Sequence, residues 1–138
     1  MKIIELKDVL KQKALSVAGI NSFQFDDLSA ITGQDIDYNL LFLQLPSSVI
    51  NDFSKPFEVW SIDFWVFKLD KQFNSDEAIV AWEETQNQAI EFIKEIIKVP
   101  KEMTLEDKNI DINRGHVMHP DALIGVRCTF LLRVFNCV

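Results

Sequence analysis

The sequence predicts an α+β fold: a mostly antiparallel β-sheet with an N-terminal helix and one long helix packed on one face. Two long segments, about 57–69 and 122–135, alternate apolar side chains at the period of a strand. Between them lies a segment of helical period opened by a capping signal. No glycine-rich strand-to-helix turn supports a doubly wound nucleotide fold. A length of 138 residues with 48% hydrophobic and 25% charged residues suits one domain over residues 1–138.

Taken in order, Ile3, Leu6, Leu10, Ala14 and Val17 recur at helical spacing, with Lys7, Lys11 and Gln12 on the other side. This predicts a helix over about 2–17, stopped by Gly19. The stretch 21–37 mixes Phe23, Phe25 and Leu28 with Asp26, Asp27, Thr32 and Gly33 without a clean period, and is expected to be a long irregular connection. Residues 38–45 are nearly all apolar between Asp37 and Pro46, as in a short strand covered on both faces. The strand at 57–69 places Trp60, Ile62, Phe64 and Val66 on a core face. Val59, Ser61, Asp63, Trp65 and Phe67 form a mixed face able to meet a partner.

Asn74 with Glu77 three residues on makes a capping box for a helix over 75–98, whose expected apolar stripe is Ile79, Trp82, Ala89, Ile90, Ile93 and Ile97. Its acidic start and basic end favour the helix dipole, and Pro100 ends it. A weaker strand is expected over 104–112 and a turn over 113–121. The last strand aligns Ala122, Ile124, Val126, Cys128, Phe130, Leu132 and Val134 on one face, as a central strand would.

Fourteen Lys and Arg against 21 Asp and Glu give a net charge of -7, which repels polyanions and argues against a sequence-reading nucleic-acid binder. Cys128 and Cys137 lack metal or redox spacing and read as reduced thiols. The N-terminus breaks into charge at once, so no secretion signal is expected. No window is apolar and long enough for a membrane span, so a soluble chain without membrane contact is expected.

The most metal-like group is His116, His119 and Asp121. Positions three apart on a strand face opposite sides, and Pro120 prevents a helix, so no metal site is expected. Cys128 sits on an apolar face, where a thiol packs as a small hydrophobe, and no serine lies in a nucleophile motif. Carboxylate pairs such as Glu83 and Glu84 read as solvated surface. Asp63, inside an apolar strand with no evident partner, reads as a solvated or partner-facing group rather than a catalytic one. The residues therefore predict neither catalysis nor a cofactor. Eleven Phe, three Trp and one Tyr are more than one small core face needs, which directs part of the set to an oligomer interface or to a core filled from both sides of the sheet.

The order of these elements resembles the tail-terminator and neck (head-to-tail joining) proteins of tailed bacteriophages. The matching pieces are Ile3 to Val17, Ile20-Asn21-Ser22-Phe23 to Asp37, Tyr38 to Pro46, Glu58 to Lys68, Asp76 to Lys98, and Asp121-Ala122-Leu123-Ile124-Gly125-Val126 into the final strand. The resemblance covers nearly the whole chain and rests on order and texture rather than on an invariant motif.

It implies a non-enzymatic virion component, assembled in the host cytoplasm, that closes into a six- or twelve-fold homo-oligomeric ring. The ring would contact portal, neck or tail proteins and let double-stranded DNA pass non-specifically through an acidic channel. The interface residues expected on this reading are Phe23, Phe25, Asp26, Asp63, Trp65, Phe67, Arg114, His116 and His119. The alternative from another class is a small cytosolic adaptor that binds a protein through the aromatic patch. A metal-dependent hydrolase using His116, His119 and Asp121 is a weaker third reading.

Overall fold

A computed structural model describes residues 2–26, 37–44, 46–118 and 122–135. Two strands organise it. β4 (Phe57–Leu69) and β7 (Ala122–Phe135) pair antiparallel from Phe57 opposite Phe135 to Leu69 opposite Leu123. Each is long enough to take two short strands on its outer edge. On one side β2 (Leu40–Gln44) pairs with the second half of β4 and β3 (Val49–Asn51) with the first. On the other, β6 (Asp111–Met118) and β5 (Met103–Leu105) divide β7 in the same way. β1 (Ser22–Asp26) closes the far edge, parallel to β2, as the one parallel pair among the described residues.

The helices α1 (Ile3–Leu15) and α2 (Ser75–Ile96) cover the face formed by the even positions of β4 and β7. Trp60, Ile62, Phe64 and Val66 are buried there, as the alternation predicts, with Val126, Cys128, Phe130, Leu132 and Val134 beside them. Leu6, Leu10 and Ala14 of α1 and Ala89, Phe92, Ile93 and Ile96 of α2 complete this core. Burial of each large apolar side chain is worth about 1.5–3 kcal/mol, so this face supplies most of the fold's driving force.

Several expectations are corrected. α1 stops at Leu15, because the Val17 amide bonds Ala14 O in a tighter turn and Gly19 takes the left-handed φ of +88°. A Cβ on Gly19 would also lie 2.6 Å from Gln88 Nε2. The stretch 21–37 is not wholly irregular: Ser22 to Asp26 form β1, where Phe23 and Phe25 turn toward the main core between polar neighbours.

The strand expected over 104–112 is two strands. The turn expected from Asn113 is strand up to Met118, leaving only residues 119–121 for it, and these lie outside the described residues. On α2 the capping box is present: Asn74 Oδ1 accepts from the Glu77 amide at 2.9 Å. Its buried stripe, however, runs through Ala81, Thr85, Gln88, Ala89, Phe92, Ile93 and Ile96, leaving Ile79 exposed. Two polar groups fit in that stripe because each is satisfied. Thr85 Oγ1 donates to Ala81 O at 3.0 Å, and Gln88 Oε1 accepts from Asn39 Nδ2 at 2.8 Å.

The opposite face of the sheet carries a second apolar cluster. Leu40, Phe42, Phe67 and Leu123 are fully buried there, with Tyr38, Trp65, Leu69 and Val117 packed against them. A core filled from both sides of the sheet thus accounts for much of the aromatic excess.

Candidate interaction surface

The 46–56 stretch, which the sequence leaves between two strands, forms a hairpin. β3 pairs Val49, Ile50 and Asn51 with Trp60, Val59 and Glu58. The turn is held locally, since the Lys55 amide bonds Asp52 O at 2.9 Å and Asp52 Oδ1 accepts from the Ser54 amide at 3.0 Å and from Ser54 Oγ at 2.7 Å. These bonds hold the Asp52 carboxyl below its ordinary range. They also aim Phe53 outward: it is 96% exposed, and Ile50 is 60% exposed. With Val49 and Ile50 also exposed beside it, Phe53 is part of an apolar patch rather than a lone ring, and the patch is a candidate contact surface.

Below the tip, Ile50, Phe57, Val59 and Leu131 line a depression of about 180 Å³ with Lys55 and Glu106 at its rim. Phe57 meets Phe135 edge-on at 5.5 Å, and the Arg133 guanidinium lies 4.7 Å from the Phe57 ring centre. Arg133 is ion-paired to Glu106, which lowers the Glu106 pKa. The apolar surface is therefore framed by groups of both signs, as the rim of a protein contact is.

In the middle of the same face Arg127 grips Asp63 with two bonds, Nε to Oδ1 at 3.0 Å and Nη2 to Oδ2. The pair raises the Arg127 pKa. Asp63 is thus a structural partner on the neighbouring strand rather than an isolated carboxylate. Arg127 also lies 5.7 Å from the Trp65 ring centre, Trp65 stacks on Phe67 at 5.0 Å, and a Cβ on Gly115 would come within 3.1 Å of the Trp65 ring. Phe67 is fully buried, and Trp65 Nε1 is buried without an acceptor. The Phe67 ring is thus enclosed inside the subunit, while Trp65 packs on the second cluster and keeps part of its surface exposed.

At the far end of β6, Arg114 and His116 lie on a strand rather than in a turn. Their register with Val126 and Ile124 turns them to the helix face, where both meet Trp82 of α2. The His116 and Trp82 ring centres lie 5.5 Å apart in an edge-to-face arrangement, and the Arg114 guanidinium lies 5.7 Å from the Trp82 ring centre. His116 Nε2 is 3.8 Å from Asp70 Oδ2. Phe23 and Phe25 are half-buried against the main core. The Asp26 backbone pairs with Gln44, while its side chain, together with His119 and Asp121, lies outside the described residues. Among the described residues no three His, Cys, Asp or Glu side chains are grouped to hold a metal ion, and no helix is long and apolar enough to cross a membrane.

Cys128 carries a free thiol buried in the main core. Burial, reinforced by the Asp63 charge, pushes its pKa from 9.0 up to about 12. The folded thiol stays neutral where the unfolded one ionises, so this burial stabilises the fold fully below pH 9.0 and the contribution is lost as pH rises toward 12. In a Cys137→Ser background the native protein at pH 8 is expected to leave an aromatic disulfide reagent unreacted over an hour and to release one equivalent when unfolded in urea. Rapid reaction of the native protein would contradict the burial.

Compared with known proteins, the chain matches no family model and no curated sequence. The sequence reading missed the hairpin surface. Its available signal was Asn51-Asp52 and Ser54 between Val49-Ile50 and the strand from Phe57, a turn cluster flanked by β-formers.

Proposed function

We propose that the protein is a structural ring component of a tailed phage, acting at the head-tail junction or tail by assembly around the DNA channel and without catalysis. The observation that carries this reading is the hairpin that holds Phe53 in solvent beside the exposed Ile50. A rigid apolar projection suits repeated subunit contacts and has no evident use in an isolated chain. A net charge of -7 suits a channel wall that DNA passes without adhering. The virion is the corresponding location, with portal, neck or tail proteins as neighbours.

Size exclusion with light scattering tests this reading, on the purified protein alone and mixed with candidate virion proteins encoded nearby. A particle of six or twelve subunits, formed alone or on a partner, is the expected result. A chain that stays monomeric or dimeric with every candidate would overturn it in favour of an adaptor.

A further inference from the structure

Besides Ile3, Ile4 and Leu15 of α1, Val99 and Leu131, the exposed apolar residues form two groups near opposite ends of β4. The hairpin tip with Phe53 lies beyond its first residue, Phe57. Beyond its last, Leu69, the chain enters α2, whose first turns expose Val80 at 63%. At roughly 3.3 Å per residue the two ends are about 40 Å apart.

At the second end, Lys68, Phe73, Asp76, Glu77, Val80 and Ala81 line a shallow cleft of about 320 Å³. It is mostly apolar and large enough for a phenyl ring. Its charges are unequally committed: Lys68 is ion-paired to Glu84, and Glu77 Oε1 accepts from the Asn74 amide at 3.4 Å. The Asp76 carboxylate has no hydrogen bond or ion pair among the described residues. On the hairpin, two residues from Phe53, Lys55 has only a 4.0 Å contact with Asp52 and the face of Phe57.

We infer that the occupant of this cleft is Phe53 of a second copy of the chain, with Lys55 of that copy set against Asp76. This rests on the ring reading above and specifies its subunit contact. An apolar projection matches an apolar cleft, and Lys55, held only by its exposed 4.0 Å pair with Asp52 and by the Phe57 ring, can turn to the unpaired Asp76 carboxylate beside the cleft. Projection and cleft lie at opposite ends of one subunit, so each copy gives one contact and receives one. This is a heterologous arrangement, which closes into a ring where the rotation from one copy to the next divides the full circle. The same two surfaces used reciprocally about a two-fold axis would stop at a dimer.

Complementation of two variants provides the test. Phe53→Asp removes the projection and Val80→Asp the cleft, both at exposed positions, with circular dichroism and melting checking that each still folds. Each variant alone should be monomeric, its assembly midpoint raised at least about thirtyfold, as loss of a central contact residue does. An equimolar mixture should give a 1:1 pair, because one copy retains an intact cleft and the other an intact projection. Lys55→Asp should weaken assembly, and adding Asp76→Lys should restore it.

If the wild type assembles only on a virion partner, the same variants are compared on that partner and the same losses are expected. Rings formed equally well by both variants would overturn this contact while leaving the ring reading in place. A wild-type chain that never exceeds a dimer, alone or with partners, would remove the ring reading and this contact with it.

Discussion

Gly125→Ala is expected to abolish the folded domain or to lower its melting temperature by about 15 °C. A Cβ at this position would stand 1.9 Å from Val66 O, 2.9 Å from Val66 C and 3.2 Å from Phe67 Cα. All three are backbone atoms of β4, so no side-chain rotation relieves the clash. Relief requires β4 and β7 to separate near the Phe67–Gly125 and Val66–Val126 pairs, in the ladder that joins both halves of the sheet. Forcing apart central strands belongs to the rare class costing more than about 4 kcal/mol. That is a large share of the 5–15 kcal/mol typical of a domain. At roughly 4 °C per kcal/mol for this size, the shift follows. A variant melting within about 3 °C of wild type would mean the two backbones do not approach so closely.

Phe64→Ala is expected to cost about 3–5 kcal/mol, read as a lower urea midpoint with an unchanged slope. Phe64 is fully buried, and its ring meets Phe92 of α2 at 4.9 Å and Phe130 of β7 at 6.2 Å, both edge-on. It also pairs across the sheet with Leu43 on one side and Cys128 on the other. Its removal loosens α2, β2 and β7 together, and side chains on three elements cannot all collapse into the space. Phe64→Leu, which keeps most of the volume, should lose less than half as much. A cost for the alanine variant under about 1 kcal/mol would place Phe64 outside the main core.

The long elements were legible because each carries its own period. β4 spans Phe57–Leu69 and β7 Ala122–Phe135, as the alternation predicts, and Asn74 starts α2 through its capping box. Of the short elements β2 was legible, from the apolar run over 38–45, and the others were not. β1 holds Phe23 and Phe25 between Ser22, Gln24 and Asp26, too brief a pattern to stand out from the residues after it. β6 includes Asn113, Arg114, Gly115 and His116, which read as a turn, and only pairing with β7 makes them strand.

The error on α2 has a similar cause. Thr85 and Gln88 look like surface residues, yet an intrahelical bond to Ala81 O and a cross-element bond to Asn39 let them be buried, which rotates the helix away from Ile79. Trp65 and Phe67 stand on the strand face assigned to partners, but the second apolar cluster uses them within the subunit. The candidate surface was hidden for the opposite reason. Phe53 is a single aromatic in a polar turn, and its significance lies in its exposure, which no period encodes.

The proposed closed-ring assembly is tested most directly by electron microscopy of the protein, alone and with candidate virion proteins. The expected images are end-on rings of a single rotational order, six or twelve, around an open centre, absent from grids of Phe53→Asp. Fields of separate monomers or dimers under every condition, or open filaments of no fixed length, would contradict the account.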